Sequence, residues 1–161
     1  IFIPYVESLK LNNLTMASPD MGGSKRAYAY SKFLKSDVVI CYKQRLKSNT
    51  VSHMEVIGDV KEKNIVLVDD MVDTAGTLTK AADLMIERGA SSVRAICTHA
   101  ILSGNAIEKI ESSNLLELIV TDSIPSNQSS PKIRILSCAP LFAEVMKNVH
   151  NNLSISSNFI T

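Results

Sequence analysis

The chain has 161 residues, of which 45% are hydrophobic and 20% charged, a composition typical of a single globular domain. Its 17 basic and 16 acidic residues leave a net charge of +1, so no overall field favours binding to nucleic acid or to an anionic membrane. The sequence contains no apolar run of about 18 residues and no signal-peptide pattern, and we therefore expect a cytoplasmic protein. Three widely spaced cysteines form no CxxC pair and are expected to be reduced core thiols; they are Cys41, Cys97 and Cys138.

The beginning of the chain predicts a strand, a turn and a helix. Residues 14–18 form a short strand candidate, which must end at Pro19 because proline cannot continue a ladder. The pair Gly22–Gly23 allows the chain to turn, and Asp20 therefore follows the carboxyl end of the strand. A helical apolar period follows over residues 24–35. Its basic side chains, expected mostly in solvent, are Lys25, Arg26, Lys32 and Lys35.

Basic residues alternate after the next buried strand, which is predicted over residues 38–41. Lys43, Arg45 and Lys47 occupy alternate positions, so in a continued strand they would point to one face. On spacing alone, this segment is typical of a solvated edge hairpin, in which lysine discourages pairing with another sheet.

The central stretch of the chain combines a strand, an acidic turn, a small-residue loop and a helix. The apolar run Ile65–Val68 is short and rich in β-branched residues, as expected for a buried parallel strand. Asp69, Asp70 and Asp73 follow, and the loop Thr74–Thr77 leads into a helical apolar period.

This combination suits a sugar phosphate. Small residues before a helix let an anion approach the unpaired amides of its first turn, although the lysine of a Walker loop is absent. The adjacent carboxylates of Asp69 and Asp70 suit the vicinal hydroxyls of a sugar or a Mg²⁺ ion. A phosphate at one end and a diol at the other describe a ribose 5-phosphate. The alternative is a helix cap with additional surface acids.

The second half of the chain continues the alternation of strands and helices. We expect a helix that begins with Ser103 as its N-cap, and a polar loop over residues 125–131. Further strands are predicted over residues 93–98, 116–120, 133–136 and 155–160, and a last helix over residues 141–149. An alternation repeated about five times predicts an α/β fold, with a mostly parallel sheet of about five strands and helices on both faces. Ligands of such sheets bind outside the carboxyl ends of the strands, where the polar residues are Asp20, residues 69–77, His99 and Thr121–Asp122.

The central segment VLVDDMVDTAGT resembles the phosphoribosyl-binding signature of type I phosphoribosyltransferases and ribose-phosphate diphosphokinases (PRPP synthases). Further segments are similar, in this order, to the C-terminal half of PRPP synthases: ASPDMGGSKRA, VIGDV, THAILSGNAIEKI and VTDSIP. The resemblance covers nearly the whole chain. It implies a single type I phosphoribosyltransferase-like domain over residues 1–161, which would form the C-terminal half of a two-domain enzyme.

The resemblance also implies roles for individual residues. Asp20 would be a Mg²⁺ ligand, and Lys43 and Arg45 would match the basic pair of the catalytic loop that closes over the triphosphate. Ribose 5-phosphate would be held by Arg45, Asp69, Asp70, Asp73, Thr74, Ala75, Gly76 and Thr77.

The implied reaction is transfer of the β,γ-diphosphoryl group of ATP to the 1-hydroxyl of ribose 5-phosphate, which gives PRPP and AMP. The partners would be the chain's own N-terminal domain, absent here, and further copies in a homo-oligomeric dimer or hexamer. The fragment alone is therefore expected to be inactive. The alternatives are a non-catalytic PRPP-synthase-associated regulatory subunit or sugar-phosphate module, and a type I phosphoribosyltransferase.

Two departures from the family pattern matter. The segment between Tyr5 and Leu14 is shorter than in relatives, which puts one helix there in doubt. Ala75 stands where many relatives have glycine, and we expect it to be tolerated with a negative φ.

Overall fold

The computed structural model describes residues 1–44, 53–125 and 129–159, and seven strands within these ranges form one sheet. The strands are β1 (Leu14–Ser18), β2 (Asp37–Gln44), β3 (His53–Ile57), β4 (Asn64–Val72), β5 (Ser92–Ala100), β6 (Glu117–Thr121) and β7 (Ile133–Leu136). Their spatial order is β3-β2-β1-β4-β5-β6-β7. Only the β2–β3 pair is antiparallel among the described strands, so the sheet is mostly parallel as predicted.

The expected number of about five strands is wrong. The estimate from strand–helix alternation is too low because β3 was not predicted as a strand, and because β7, which was predicted at residues 133–136, follows β6 with no helix among the described residues between them. These two strands form the edges of the sheet. An antiparallel pair of strands flanks the segment with the alternating cations, with Lys43 of β2 in register with Met54 of β3, while Arg45 and Lys47 lie outside the described residues.

Helices cover both faces of the sheet. They are α1 (Phe2–Ser8), α2 (Ser24–Leu34), α3 (Gly76–Glu87), α4 (Ala106–Ser112) and α5 (Ala139–His150), followed by a short 3₁₀ helix at Ser156–Asn158. Side chains of α1 and α2 pack on one face, and those of α3 and α4 pack on the other.

The central strand β4 explains how the two cores are divided. Ile65 and Leu67 point into the core under α3, whereas Val66 and Val68 point into the core under α1 and α2. All four are essentially fully buried. Each contributes roughly 1.5–3 kcal/mol by burial, which is why an uninterrupted apolar run is required in this strand.

Two local expectations are wrong, and the helix left in doubt near the beginning can be compared with the structure. The chain forms one helix there, α1, which covers Phe2–Ser8 and in which Phe2 and Val6 are buried against the sheet. The strand over 155–160 is absent from the described part, where local hydrogen bonds such as Asn158 N–H to the Ile155 carbonyl form a 3₁₀ turn instead. Ser103 is not the N-cap of α4, since that position belongs to Asn105.

Two further expectations can be compared with the structure. The three cysteines are unpaired and buried, as predicted, and burial raises the pKa of Cys41 to about 11 and that of Cys97 to about 12. In the part of the chain described, no helix has the length and hydropathy that crossing a membrane would require. The polar loop over 125–131 falls partly outside the described residues, because 126–128 are not among them.

Candidate active site

The ends of β1 and β4 and the loop that follows β4 enclose one cavity of about 170 Å³. It is lined by Asp20, Asp69 and residues 71–78. The parallel pairing of β1 with β4, which sets Ala17 opposite Leu67, carries both chain ends to the same edge. The structure therefore brings together the predicted ends of β1 and β4 and the small-residue loop.

A larger cavity of about 540 Å³ lies between α2 and the start of β2, away from these residues. Both of its carboxylates are already paired with one lysine, since the Lys63 Nζ atom lies 2.8 Å from Asp37 Oδ2 and 3.8 Å from Asp59 Oδ2. We assign the chemistry to the smaller cavity because it combines clustered carboxylates with an open helix end.

The N-terminus of α3 faces this cavity without a side-chain cap. The first helical hydrogen bond runs from Thr79 N–H to the Ala75 carbonyl at 2.9 Å, and no side chain caps the helix within the described residues. Gly76 and Thr77 line the cavity, so the free amides of the first turn are placed for an anion.

Ala75 adopts the left-handed conformation, with φ 59° and ψ −1°, and the expectation of a negative φ is wrong. A left-handed residue followed by right-handed helical residues turns successive amides toward one point, which is an anion-binding arrangement. The conformation costs a residue with a Cβ atom roughly 1–2 kcal/mol. The loop therefore holds strain at the place where an anion would bind.

Glycine is required where β1 turns into α2. A Cβ atom on Gly23 would lie 2.6 Å from the Ser18 hydroxyl, which donates a hydrogen bond to the Asp20 carbonyl. The Gly23 amide donates to Asp20 Oδ1 at 3.1 Å and so orients this carboxylate. The close approach of α2 to the strand end depends on this missing side chain.

The acidic pair at the end of β4 is bound by a cation from α2. Arg26 Nη2 lies 2.9 Å from Asp70 Oδ2, and Nη1 lies 3.6 Å from Asp69 Oδ1. The expectation that Arg26 lies mostly in solvent is wrong, because α2 starts at the carboxyl edge and its third residue reaches the acids. The sequence contained a signal for this contact, because the predicted helix α2 begins only a few residues after Asp20 and so lies next to the acidic edge.

The two carboxyl groups titrate differently. Burial, together with the neighbouring Asp70 and Asp20, raises the pKa of Asp69 to about 6. Burial also acts to raise the pKa of Asp70, but its hydrogen bond with Asp69 and the Arg26 guanidinium outweigh that effect and lower it. When the pH falls, Asp69 takes up the first proton.

Segments from α4 and the preceding turn secure the loop after β4. Ser103 donates its amide to the Asp73 carbonyl at 3.0 Å and its hydroxyl to the Asp73 carboxylate. Lys109 Nζ donates to the Thr74 carbonyl at 3.0 Å. Sequence reasoning missed both Ser103 and Lys109 as supports of the loop, because helical spacing does not indicate contacts between α4 and a distant turn.

The remaining predicted residues at this edge have other contacts. The Ser123 hydroxyl donates to the Thr98 carbonyl at 3.0 Å and lies 2.9 Å from His99 Nδ1. Because the proton of the Ser123 hydroxyl is used in that bond, its oxygen accepts a hydrogen bond from the Nδ1–H group of His99. Asp122 accepts from the Cys138 amide and the Ser137 hydroxyl, both at 2.7 Å, at the start of α5. Asp122 therefore secures a helix and does not line the cavity.

The basic pair can be located only in part. Lys43 lies in β2, near the β2–β3 edge of the sheet, and Arg45 lies outside the described residues. Their predicted roles stay predictions.

Comparison with known proteins assigns the chain to a family. The family model of the phosphoribosyl synthetase-associated domain matches residues 27–160. A ribose-phosphate pyrophosphokinase of Porphyromonas gingivalis is 51% identical over 158 residues, which make up 98% of this chain and 50% of that protein. Its counterpart in Campylobacter jejuni is 49% identical over 99% of this chain and 52% of that protein. The chain thus spans about half the length of the curated relatives it matches.

Solved structures agree with this assignment. The phosphoribosylpyrophosphate synthetase of Mycobacterium smegmatis has a TM-score of 0.82 at 31% identity, over 92% of this chain and 49% of that one. An APRTase of Giardia lamblia, at 12% identity and a TM-score of 0.61, covers 84% of this chain and 74% of that one, and shares the fold alone. The predicted type I phosphoribosyltransferase-like fold is confirmed. Both its sequence and its fold show that the chain belongs to the phosphoribosyl synthetase-associated domain family.

Proposed function

We propose that this chain is the ribose 5-phosphate-binding half of a ribose-phosphate diphosphokinase, which forms PRPP and AMP from ATP and ribose 5-phosphate. The observation that carries the proposal is that Asp69 and the uncapped N-terminus of α3 line one cavity of about 170 Å³. The names of relatives about half identical to the chain support it.

The cavity suggests how the sugar phosphate is held. The 5-phosphate accepts hydrogen bonds from the amides at the start of α3, an interaction worth up to about 2 kcal/mol in a partly buried site. The Asp69 and Asp70 carboxylates accept hydrogen bonds from the ribose hydroxyls. The loop around the phosphate consists of Asp73, Thr74, Ala75, Gly76 and Thr77.

The carboxylates of Asp20 and Asp69 fit a magnesium ion. Within residues 1–44, 53–125 and 129–159, no group of three or more His, Cys, Asp or Glu side chains could hold a metal by itself. Magnesium in phosphate-transfer sites needs only one or two carboxylates, with water and substrate phosphates completing its shell. The crowded acids that raise the pKa of Asp69 favour a bound cation. When bound at Asp20, the ion would neutralise charge on the transferring group.

We assign transition-state stabilisation to Lys43 and Arg45. Charge develops on the oxygens of the diphosphoryl group as it moves, and cations stabilise that charge. No lysine or arginine belongs to the described lining of the cavity, so these cations must come from elsewhere. Loss of one such contact should cost about 3–4 kcal/mol of transition-state stabilisation. Arg45→Lys would not be neutral, because lysine cannot make a bidentate contact with phosphate oxygens.

The remaining parts of the active site would come from the other half of the protein. The other half of the protein would supply much of the ATP pocket and a further metal ligand, and the whole would assemble as a dimer or hexamer in the cytoplasm. Phe142, Met146 and Val149 of α5 are each more than half exposed, which is consistent with contact to another domain or copy.

The proposal is tested by measuring AMP released from ATP and ribose 5-phosphate by the full-length gene product. We expect activity in the unchanged protein, loss of activity in Asp69→Ala, and full activity in Glu87→Ala at the opposite end of α3. A protein that binds the sugar phosphate but releases no AMP would be a regulatory relative. PRPP-dependent consumption of a base without AMP release would indicate a phosphoribosyltransferase.

A further inference from the structure

Among the described residues, one side-chain hydrogen bond joins α4 to the loop at residues 73–77, here called the phosphate loop. Lys109 Nζ donates a hydrogen bond to the Thr74 carbonyl at 3.0 Å, although the two residues are 35 positions apart. Lys109 as a whole is half-buried, and its hydrogen bond to the loop lies at the protein surface. The contact is a charge-assisted hydrogen bond to the backbone of the loop.

This hydrogen bond constrains the direction of the next amide. A planar trans peptide places its carbonyl and its N–H on opposite sides, and the described chain contains no cis peptide. When Lys109 holds the Thr74 carbonyl, the N–H of Ala75 is turned to the other side of that peptide. Ala75 itself lines the cavity and has the left-handed φ of 59° that begins the anion-binding arrangement.

The hydrogen bond between Lys109 and Thr74 also places a positive charge beside a negatively charged cavity. The cavity lining contains the carboxylates of Asp20, Asp69 and Asp73, all of which repel a phosphate. Among the described residues, Lys109 is the cation hydrogen-bonded to the loop itself. Its ammonium group offsets part of this negative field beside the helix N-terminus.

We propose that Lys109 is a positioning residue for the 5-phosphate, which holds the Thr74–Ala75 peptide with its amide toward the ligand. This inference rests on the proposed function, since it takes ribose 5-phosphate as the ligand of the cavity. Lys109 acts through the loop and need not touch the substrate.

The test compares Lys109→Met and Lys109→Arg in the full-length gene product. We expect Lys109→Met to raise the KM and the Kd for ribose 5-phosphate about tenfold, the factor for one weak charge-assisted hydrogen bond. Inorganic phosphate should lose affinity by a similar factor, while the KM for ATP and the kcat stay within about twofold. Lys109→Arg should recover most of the affinity, because its guanidinium can still donate to the carbonyl.

Lys80 provides a matched control, because it lies on the exposed side of α3 and has no hydrogen bond or ion pair within the described residues. Lys80→Met removes the same charge near the loop and should leave the Kd unchanged. Equal losses in Lys80→Met and Lys109→Met would overturn the proposal in favour of a general charge effect. An unchanged Kd in Lys109→Met, with a normal melting temperature, would also overturn it. If the unchanged protein does not bind ribose 5-phosphate at all, the proposed function itself fails.

Discussion

Arg26 in the first turn of α2 and Asp70 at the end of β4 form a hydrogen-bonded ion pair of 2.9 Å across 44 residues of sequence. Both side chains are more than a third exposed, so the pair adds at most about 1 kcal/mol to stability. Its main effect is electrostatic, because, together with the hydrogen bond between Asp70 and Asp69, it lowers the pKa of Asp70. Under the proposed function, the pair would keep Asp70 as an acceptor for a sugar hydroxyl at little cost to the fold.

Replacement of Arg26 by glutamine tests this interpretation. Without the guanidinium the pKa of Asp70 should rise, because its hydrogen bond with Asp69 is then left as the main influence that lowers it. The free energy of unfolding should fall by less than about 1 kcal/mol. The NMR shift of the Asp70 carboxyl carbon, followed from about pH 8 down to about pH 2, measures this pKa separately from that of Asp69. Lys25→Gln, which removes the neighbouring exposed cation, should leave the pKa of Asp70 in place, and an unshifted pKa in Arg26→Gln contradicts the interpretation.

Asp69 should lower stability at neutral pH. Its folded-state pKa of about 6 lies above the ordinary value of 3.8, so the folded protein binds this proton more tightly than the unfolded chain does. The favourable contribution is complete below the ordinary value and is lost as the pH rises through about 6. Asp69→Asn should therefore raise the free energy of unfolding at pH 7 by on the order of 1–3 kcal/mol.

Urea unfolding at several pH values checks this prediction. The advantage of Asp69→Asn should disappear below about pH 4, where both side chains are neutral. Activity should be lost in the same variant, because a neutral amide cannot replace a carboxylate that accepts a hydrogen bond from a hydroxyl and also coordinates a metal ion. If the unchanged protein and Asp69→Asn are equally stable at pH 7, the folded protein does not disfavour the ionised form of Asp69.

Ala75→Gly should stabilise the protein. Glycine releases roughly 1–2 kcal/mol of left-handed strain and loses about 0.8 kcal/mol of buried methyl group, so we expect a net gain of about 0.5–1 kcal/mol. The control is Ala81→Gly in the same helix, which is also buried and has no such strain. Ala81→Gly should destabilise by about 2 kcal/mol, from one methyl group and one helix position. A loss of stability in both variants would contradict the strain at Ala75.

The sequence predicted the position of the site better than its internal contacts. Asp20 comes soon after β1, and Asp69 follows the apolar run inside β4, so the shared carboxyl edge of parallel strands predicts that they meet in one cavity. The contact of Arg26 with the acids could not be read in this way, since helical spacing gives a face and not a partner on a distant strand. The left-handed φ of Ala75 was also hidden, because alanine usually avoids that conformation and only the surrounding turn imposes it. The edge strand β3 was not predicted, whereas the edge strand β7 was predicted at residues 133–136.

Gly76 should be required for the ligand and not for the fold. It is the first residue of α3, and a Cβ atom placed there would meet only Thr74 Oγ1, at 4.0 Å. Gly76→Ala therefore fits the protein and should raise the free energy of unfolding by up to about 1 kcal/mol, because alanine favours the helix.

The new methyl group of Gly76→Ala would lie beside the loop amides, where Gly76 lines the cavity. Phosphate binding should then weaken at least about tenfold, since close approach to the amides is lost. Calorimetric titration with ribose 5-phosphate and urea unfolding measure the two effects in the same preparation. A variant that is more stable and still binds with unchanged affinity would place the phosphate somewhere other than the N-terminus of α3.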